Sequence, residues 1–480
     1  MNDNDECCYI DQFNEDEQEE DLINDKYKSE LPGLLMLDRT YGKKGKRYLY
    51  KVVPSNKDFP SLLIPYDKKI EFSKELINKY ILFKYENFDV TPIQGILIRT
   101  IGDVTDLNAY FEYMIYSKEL QINNTLFKKT IKQINIKDVN VIELFNKYYN
   151  NNIVENAFTI DCKDTEHFDD AISIIENEKI EVNVYITDLC VWFQEYNLWD
   201  LLQNEMKTIY LPNKKINMLP NDLIDVANLK SDTTRITLNM RVIIENNKPI
   251  DISFSNKLVY IENNFVYNSN ELLNNEQYKK LFEITNSLDN NVENSSDVIS
   301  FWMIFMNNKV GELFANKNIG IFKINYLLNN KNFLQELVEK KGINYYETDS
   351  SSKYVQITSP LRRRVDIYNQ SCLLKYILQY NYNSTIYDIN NCNETMKKIR
   401  KLENHCDLIY RLTNENDEEK IYTVETYGNI KVIKELNKII YDDRDLKHIK
   451  IKIKVKREKK SVLLEEIKYR QEKNRDEKKN

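Results

Sequence analysis

The chain has no run of about 18 apolar residues, so nothing in it reads as a membrane span. Its start, MNDNDECCYIDQF, lacks a basic stretch followed by an apolar one, which excludes a secretory signal. Cysteines number only 7, an odd count, and their spacing fits neither a zinc site nor a disulfide framework. Reduced thiols in a cytoplasmic or nuclear compartment are the simplest reading. Glycine and proline number 9 each, against 33 tyrosines and abundant Asn, Ile and Lys. That usage points to an A/T-rich coding genome and says nothing of function. No internal repeat is visible.

What is present supports two to four domains, since 480 residues exceed the usual size of one. A hydrophobic fraction of 42% is enough for a real core. The net charge of −7 argues on its face against a nucleic-acid binder. Its distribution changes that judgement: residues 1–30 are strongly acidic, with only Lys26 and Lys28 basic, and the remainder is slightly positive. Segment 1–30 reads as a disordered acidic tail. Over 31–125, short strands punctuated by Pro60, Pro65 and Pro92 suggest a small barrel with a basic turn at Lys43, Lys44, Lys46 and Arg47. Basic residues interleaved with aromatics suit single-stranded nucleic acid; a plain solvated hairpin fits that segment equally well. A helical connector is expected over 126–152. Residues 153–415 mix strands and helices, with an apolar core helix at 298–316. A shortened barrel-like region fits 416–462, and 463–480 is a charged tail. Within the former, Ile449, Ile451, Ile453 and Val455 alternate with Lys450, Lys452, Lys454 and Lys456, which predicts a strand with one lysine face. An anionic partner would relieve the repulsion among those lysines; the bland alternative is a solvated edge strand.

The densest chemistry lies between two apolar, strand-like runs, Ala157–Ile160 and Ala171–Ile175. Asp161, Asp164, Glu166, His167, Asp169 and Asp170 crowd the turn between them. Carboxylates so close repel one another, and a divalent cation would resolve the repulsion. Hard oxygen ligands without a cysteine pair favour Mg²⁺, or Mn²⁺, over zinc. Such ions can activate water and steady the leaving oxygen of a phosphodiester. A surface acidic loop explains the density equally well. A second segment shifts the balance. Thr358-Ser359-Pro360-Leu361-Arg362-Arg363-Arg364-Val365-Asp366 sets three arginines after a Ser-Pro turn at the start of a helix. Arginine there can bind phosphate bidentately and offset charge gathering in a transition state.

Together these segments resemble the two signatures of the ribonuclease II (RNB) family, a TIDP-like strand followed by D-x-D-D-A and a TSP-I-R-R-Y-x-D helix start. Val184-Tyr185-Ile186-Thr187-Asp188, Ile209-Tyr210-Leu211-Pro212 and Met218-Leu219-Pro220 are similar to further family elements, in the right order. Pro92-Ile93-Gln94-Gly95 with Ile101-Gly102-Asp103 resembles the family's cold-shock-type barrel. The resemblance covers about residues 31–415. It implies an α+β protein whose RNB-type catalytic domain is flanked by small OB-fold, cold-shock-like barrels. It further implies a compact 3′-5′ exoribonuclease; the pared-down form and A/T bias together fit a large DNA virus as source. By the same resemblance, Asp161, Asp169, Asp170 and His167 would form the metal cluster, with Asp169 the most critical. Arg362 would contact the scissile phosphate with Arg363 supporting it, and Tyr210 would stack on the terminal nucleotide. Lys450, Lys452 and Lys454 would face RNA.

The chain departs from the family pattern at several of these positions. His167 stands where the family has a carboxylate, Arg364 replaces a tyrosine and Gln370 a histidine. The R-G-T-S before Val-Tyr-Leu-Pro is absent, and Glu403 is a loose match to a late-helix glutamate. His405 and His448 need no special role. The expectation is therefore a Mg²⁺-dependent enzyme that strips 5′-mononucleotides from single-stranded RNA. An RNB-fold RNA-binding protein without activity is the alternative, and an unrelated metal-dependent phosphatase a third and weaker one.

Overall fold

A computed structural model describes residues 29–67, 76–87, 91–122, 124–149, 153–202, 205–324, 345–347, 353–380, 382 and 388–414, and short strands between 420 and 466. The acidic segment 1–28 and residues 467–480 lie outside the described residues, as does Lys456. Chain contacts divide the protein into two units, one of residues 1–121, 211–213 and 401–480 and another of 122–210 and 214–400. No described helix is long and apolar enough to cross a membrane.

In the first unit, the small barrel expected over 31–125 is present. Strands β1 (Leu31–Lys44), β2 (Arg47–Pro54), β3 (Leu62–Tyr66), β4 (Lys79–Asn87) and β5 (Gln94–Asp103) close in the order β1-β2-β3-β5-β4. Leu35, Leu37, Tyr50, Val52, Leu62, Ile64, Ile81 and Phe83 fill its interior. Gly95 is required here: a Cβ would meet the Lys84 carbonyl oxygen at 2.6 Å. The basic turn is solvent-facing, with Lys43 over the Tyr48 ring at 4.5 Å and Arg39 over Tyr41 at 5.5 Å. Helix α1 (Leu107–Ser117) follows, its Asp106 cap accepting from the Asn108 N–H.

The connector 126–152 carries two helices, α2 (Thr125–Ile134) and α3 (Val141–Tyr149), in the second unit. That unit is built on a second closed barrel. Strands β6 (Val154–Asp161), β7 (Asp170–Glu176) and β8 (Ile180–Thr187) form one part of it. After helix α4 (Cys190–Glu195), hairpin β9 (Ile209–Leu211) and β10 (Lys214–Ile216), and helix α5 (Asn221–Ala227), the long strands β11 (Thr233–Glu245) and β12 (Lys248–Val266) complete it. The closing pair β12–β6 is parallel, with Val266 opposite Asp161. In β8, Val182 to Thr187 are all buried; continuous burial marks strands covered on both faces, and helices supply the outer cover. Helices α6 (Asn270–Asn274), α7 (Glu276–Leu288) and α8 (Ser295–Lys317) follow. The apolar stretch read as a core helix is α8, opened by a capping box of Asn294 and Asp297. Trp302 on α8 is fully buried and donates to Thr285 Oγ1 at 2.9 Å. Short strands β13 (Phe322–Ile324) and β14 (Tyr345–Glu347) precede α9 (Arg364–Cys372), the helix expected after the arginines.

Helix α10 (Ile389–Asn414) leads to the C-terminal strands. His405 on it pairs with Tyr110 Oη at 2.8 Å, in keeping with a structural role. The C-terminal region forms two three-stranded sheets: β15 (Lys420–Thr423), β19 (His448–Val455) and β20 (Val462–Glu466) in one, β16 (Glu425–Tyr427), β17 (Ile430–Ile433) and β18 (Lys438–Tyr441) in the other. The strand expected over the alternating Ile and Lys residues is β19; it lies in the middle of its sheet, paired on both sides, so the alternative of an edge strand does not hold. Residues 463–466 continue β20 rather than beginning a tail. Side chains of Lys450, Lys452 and Lys454 lie outside the described atoms.

Candidate active site

The acidic turn joins β6 to β7, and the loop between those strands is pinned from outside. Asn228 donates to the Glu166 carbonyl at 2.9 Å and accepts from the Phe168 N–H at 2.6 Å. The Leu229 N–H donates to the Phe168 carbonyl at 3.1 Å, and the Thr187 N–H to the Asp169 carbonyl at 2.9 Å. These bonds fix which carboxylates face inward. Asp169 is 4% exposed and Asp161 and Asp170 are half-buried, while Asp164 and Glu166 are exposed.

The arginine segment supplies the opposing charge. Arg362 Nε lies 3.3 Å from Asp169 Oδ2, and its Nη2 donates to Ser359 Oγ at 2.9 Å. The Leu361 N–H donates to Asp169 Oδ1 at 2.8 Å. Both Asp169 oxygens are thus held by the turn that carries Arg362, a charge pair with one half-open member: the arginine side chain is 47% exposed. Backbone bonds clamp the turn, from Thr208 N–H to the Arg362 carbonyl at 3.0 Å and from Arg364 N–H to the Met206 carbonyl at 2.9 Å. The clamping segment runs directly into β9, which presents Tyr210 at 43% exposure with Lys207 5.8 Å from its ring centre.

Arg363 does something different. Its Nη2 donates to Asp366 Oδ1 at 2.8 Å, and Asp366, fully buried, also accepts from the Ser359 N–H at 2.7 Å. Arg363 and Asp366 therefore shape the turn, and only Arg362 meets the carboxylates. Gln370 is buried, donating to the Thr187 and Ile357 carbonyls at 3.1 and 3.3 Å.

Electrostatics follow from the crowding. Burial raises the Asp169 carboxyl to about 6, against the opposing pull of Arg362 and the Leu361 N–H. Burial raises Asp161 and Asp170 as well, and the negative charges of their neighbours raise them further. Asp161 Oδ2 is buried with no hydrogen-bond partner. The Tyr267 N–H donates to the Asp161 carbonyl at 2.8 Å, and burial, then Asp170 and Asp161, raise its phenol. Burial is resisted here by strain on charge, which a cation between carboxylates would relieve.

Not every expected ligand joins them. His167 sits against Lys215 of β10, whose ammonium is 3.4 Å from Nε2 and donates to Glu166 Oε2 at 2.6 Å. Burial and then Lys215 lower the imidazole to about 4. His167 is thus placed against Lys215 and Glu166, and no hydrogen bond links it to Asp161, Asp169 or Asp170 among the described residues. Among the described residues no group of three or more His, Cys, Asp or Glu side chains is arranged to hold a metal. The donors that fit a hard cation are Asp161, with its open oxygen, and Asp170. Glu403 belongs by its contacts to the first unit, not to the unit carrying the carboxylates. Sequence reading missed Lys215 and the Leu361 N–H. It quoted Asp366 without a role, although an acidic residue three positions after Arg363 on a helix start was a usable signal.

Residues 151–290 match the RNB domain family. No curated protein matches the chain. Among solved structures, Mycoplasma genitalium RNase R in complex with double-stranded RNA is similar at 15% identity and a TM-score of 0.66, covering 90% of this chain and 94% of that one. The same enzyme in complex with ribose-methylated single-stranded RNA matches at 14% identity and a TM-score of 0.66, covering 91% and 89%. Yeast Ssd1, described as a pseudonuclease, is similar at 14% identity and a TM-score of 0.55, covering 88% and 66%. Residues 151–290 are therefore similar to the RNB domain family, and the fold of the chain is similar to that of RNase R.

Proposed function

We propose that the protein is a metal-dependent 3′-5′ exoribonuclease that hydrolyses single-stranded RNA to 5′-mononucleotides. The observation that carries this reading is the Arg362 guanidinium, half open to solvent and 3.3 Å from Asp169, in the same turn-clamped cluster as Asp161 and Asp170. Arg362 would receive the scissile phosphate, exchanging part of its contact with Asp169 for phosphate oxygens and offsetting charge in the transition state. Tyr210 would stack on the terminal base. Asp161 and Asp170 would hold Mg²⁺ or Mn²⁺, which when bound supplies Lewis acidity and an activated water. The first barrel's closed order β1-β2-β3-β5-β4 supports an OB-type reading, with its exposed Tyr41 and Tyr48 beside basic residues available to RNA. For the C-terminal sheets, the lysine-rich sequence of β19 supports the RNA-facing role assigned to Lys450, Lys452 and Lys454.

A second reading is favoured by one observation, the capture of His167 by Lys215 where the family has a carboxylate. On that reading the fold binds RNA and does not cut it; yeast Ssd1, of similar fold, is described as a pseudonuclease. Incubation with 3′-labelled single-stranded RNA, with Mg²⁺, with Mn²⁺ and with a chelator, separates the two. Release of labelled mononucleotide that needs metal and is lost in Asp169→Asn supports the nuclease; retention of intact, bound RNA supports the silent binder.

A further inference from the structure

The hairpin that carries Tyr210 is bonded to both halves of the site. On its way into β9 the chain meets the arginine turn. The Thr208 N–H donates to the Arg362 carbonyl at 3.0 Å, the Arg364 N–H to the Met206 carbonyl at 2.9 Å, and Lys207 pairs with Arg363 as an isolated bridge. On its way out, in β10, Lys215 reaches the acidic loop. Its ammonium donates to Glu166 Oε2 at 2.6 Å and lies 3.4 Å from His167 Nε2, three and two residues before Asp169. An ammonium has donors only, so both contacts run from Lys215 to the loop. The Met218 N–H donates to Thr208 Oγ1 at 3.1 Å and closes the base of the hairpin. Tyr210 stands between the two attachments, 43% exposed and within electrostatic reach of Arg362.

The attachments differ in kind. The one to the arginine turn is made of backbone bonds, which nearly any residue type supplies. The one to the acidic loop depends on a single side chain. Lys215 is 22% exposed and Glu166 73% exposed. An ion pair with so open a member adds little to stability. Its effect falls instead on where the hairpin stands relative to the carboxylates.

We propose that Lys215 is a positioning residue that holds the stacking face of Tyr210 in register with Asp169 and Arg362, so that a 3′-terminal base held on the ring brings its phosphate to the guanidinium. The proposal rests on the nuclease reading for its chemistry, while the register itself concerns only the ring and the RNA end.

Lys215→Met keeps an unbranched stem and removes the ammonium. Single-stranded RNA ending in 2-aminopurine, bound in the presence of a chelator, reports stacking by quenching of its fluorescence. The wild type should quench it; Lys215→Met should recover much of the emission, as Tyr210→Ala does. The turnover number of Lys215→Met in Mg²⁺ should fall by about 10-fold at little-changed KM, since ångström-scale misplacement can cost up to about 10²-fold. Its urea midpoint should not move. Glu166→Ala, on the open side of the pair, should reproduce these effects, and it decides the matter if Lys215→Met does not fold. Wild-type quenching or wild-type turnover in a folded variant overturns the proposal, as does a wild type that leaves the base unquenched. A wild type that quenches the base but does not cut sinks the nuclease reading alone, and the register then stands or falls on the fluorescence.

Discussion

Asp366 accepts from the backbone N–H of Ser359, seven residues earlier, at 2.7 Å, and the same oxygen accepts from Arg363 at 2.8 Å. One fully buried carboxylate thus holds the two ends of the turn that presents Arg362. Asp366→Ala leaves the Arg363 guanidinium and the Ser359 N–H without their acceptor in a buried setting. The expected cost is about 3–5 kcal/mol in equilibrium urea denaturation. A loss well under 1 kcal/mol would mean that the turn holds its shape by other contacts.

Arg362→Lys keeps the charge and removes the planar fork. The turnover number on single-stranded RNA should fall by about 10²–10³, the scale for loss of one preorganised donor to developing charge. The guanidinium is half exposed, so stability should barely change. Equal turnover in the lysine variant would remove Arg362 from the chemistry.

Asp188 predicts a pH dependence of stability. It is fully buried, and burial raises its carboxyl to about 6 against the hydrogen bonds of Tyr149, the Val191 and Cys190 N–H groups and Asn256. Its folded value lies above the unfolded one, so the folded state binds the proton more tightly. Stability from this group is present when it is protonated and is lost as pH rises from about 4 through 6, by roughly 3 kcal/mol. Asp188→Asn should flatten that slope in denaturation curves taken across pH 4 to 7. An unchanged slope would show that Asp188 does not carry it.

Gly311 in α8 sets helix propensity against packing. Alanine is better by about 1 kcal/mol in a helix interior, yet a Cβ here would lie 2.2 Å from the Lys353 carbonyl oxygen. Backbone must shift, and overpacking of this kind costs about 1–3 kcal/mol. Gly311→Ala should therefore lower the melting temperature; a rise would show that the segment around Lys353 gives way freely.

The first barrel's strands, the strand-like runs on either side of the acidic turn, the core helix and the arginine helix start were legible because each carries a local pattern: short strands punctuated by prolines, apolar runs, a Ser-Pro turn; the long strands β11 and β12 of the second barrel were not read. The pairing of Arg362 with Asp169 was reached through motif resemblance, not through spacing, since 193 residues separate them. What stayed hidden depends on tertiary approach. Nothing local tells that His167 meets Lys215, 48 residues on, because a hairpin outside the acidic loop delivers the lysine. Arg363 and Arg362 are indistinguishable by composition; only the burial of Asp366 decides which of them turns inward to the helix. The middle position of β19 was also unreadable, since alternation specifies faces and not neighbours.

The parallel pairing of β6 with β12 has a consequence for synthesis. Asp161 gains its neighbour Val266 only after more than a hundred further residues are made, and Arg362 emerges later still. A ribosome-bound fragment ending short of that arginine exposes its crowded aspartates with no guanidinium to balance them. The pairing of Asp169 with Arg362 cannot form gradually as the chain lengthens; it arrives with the start of α9.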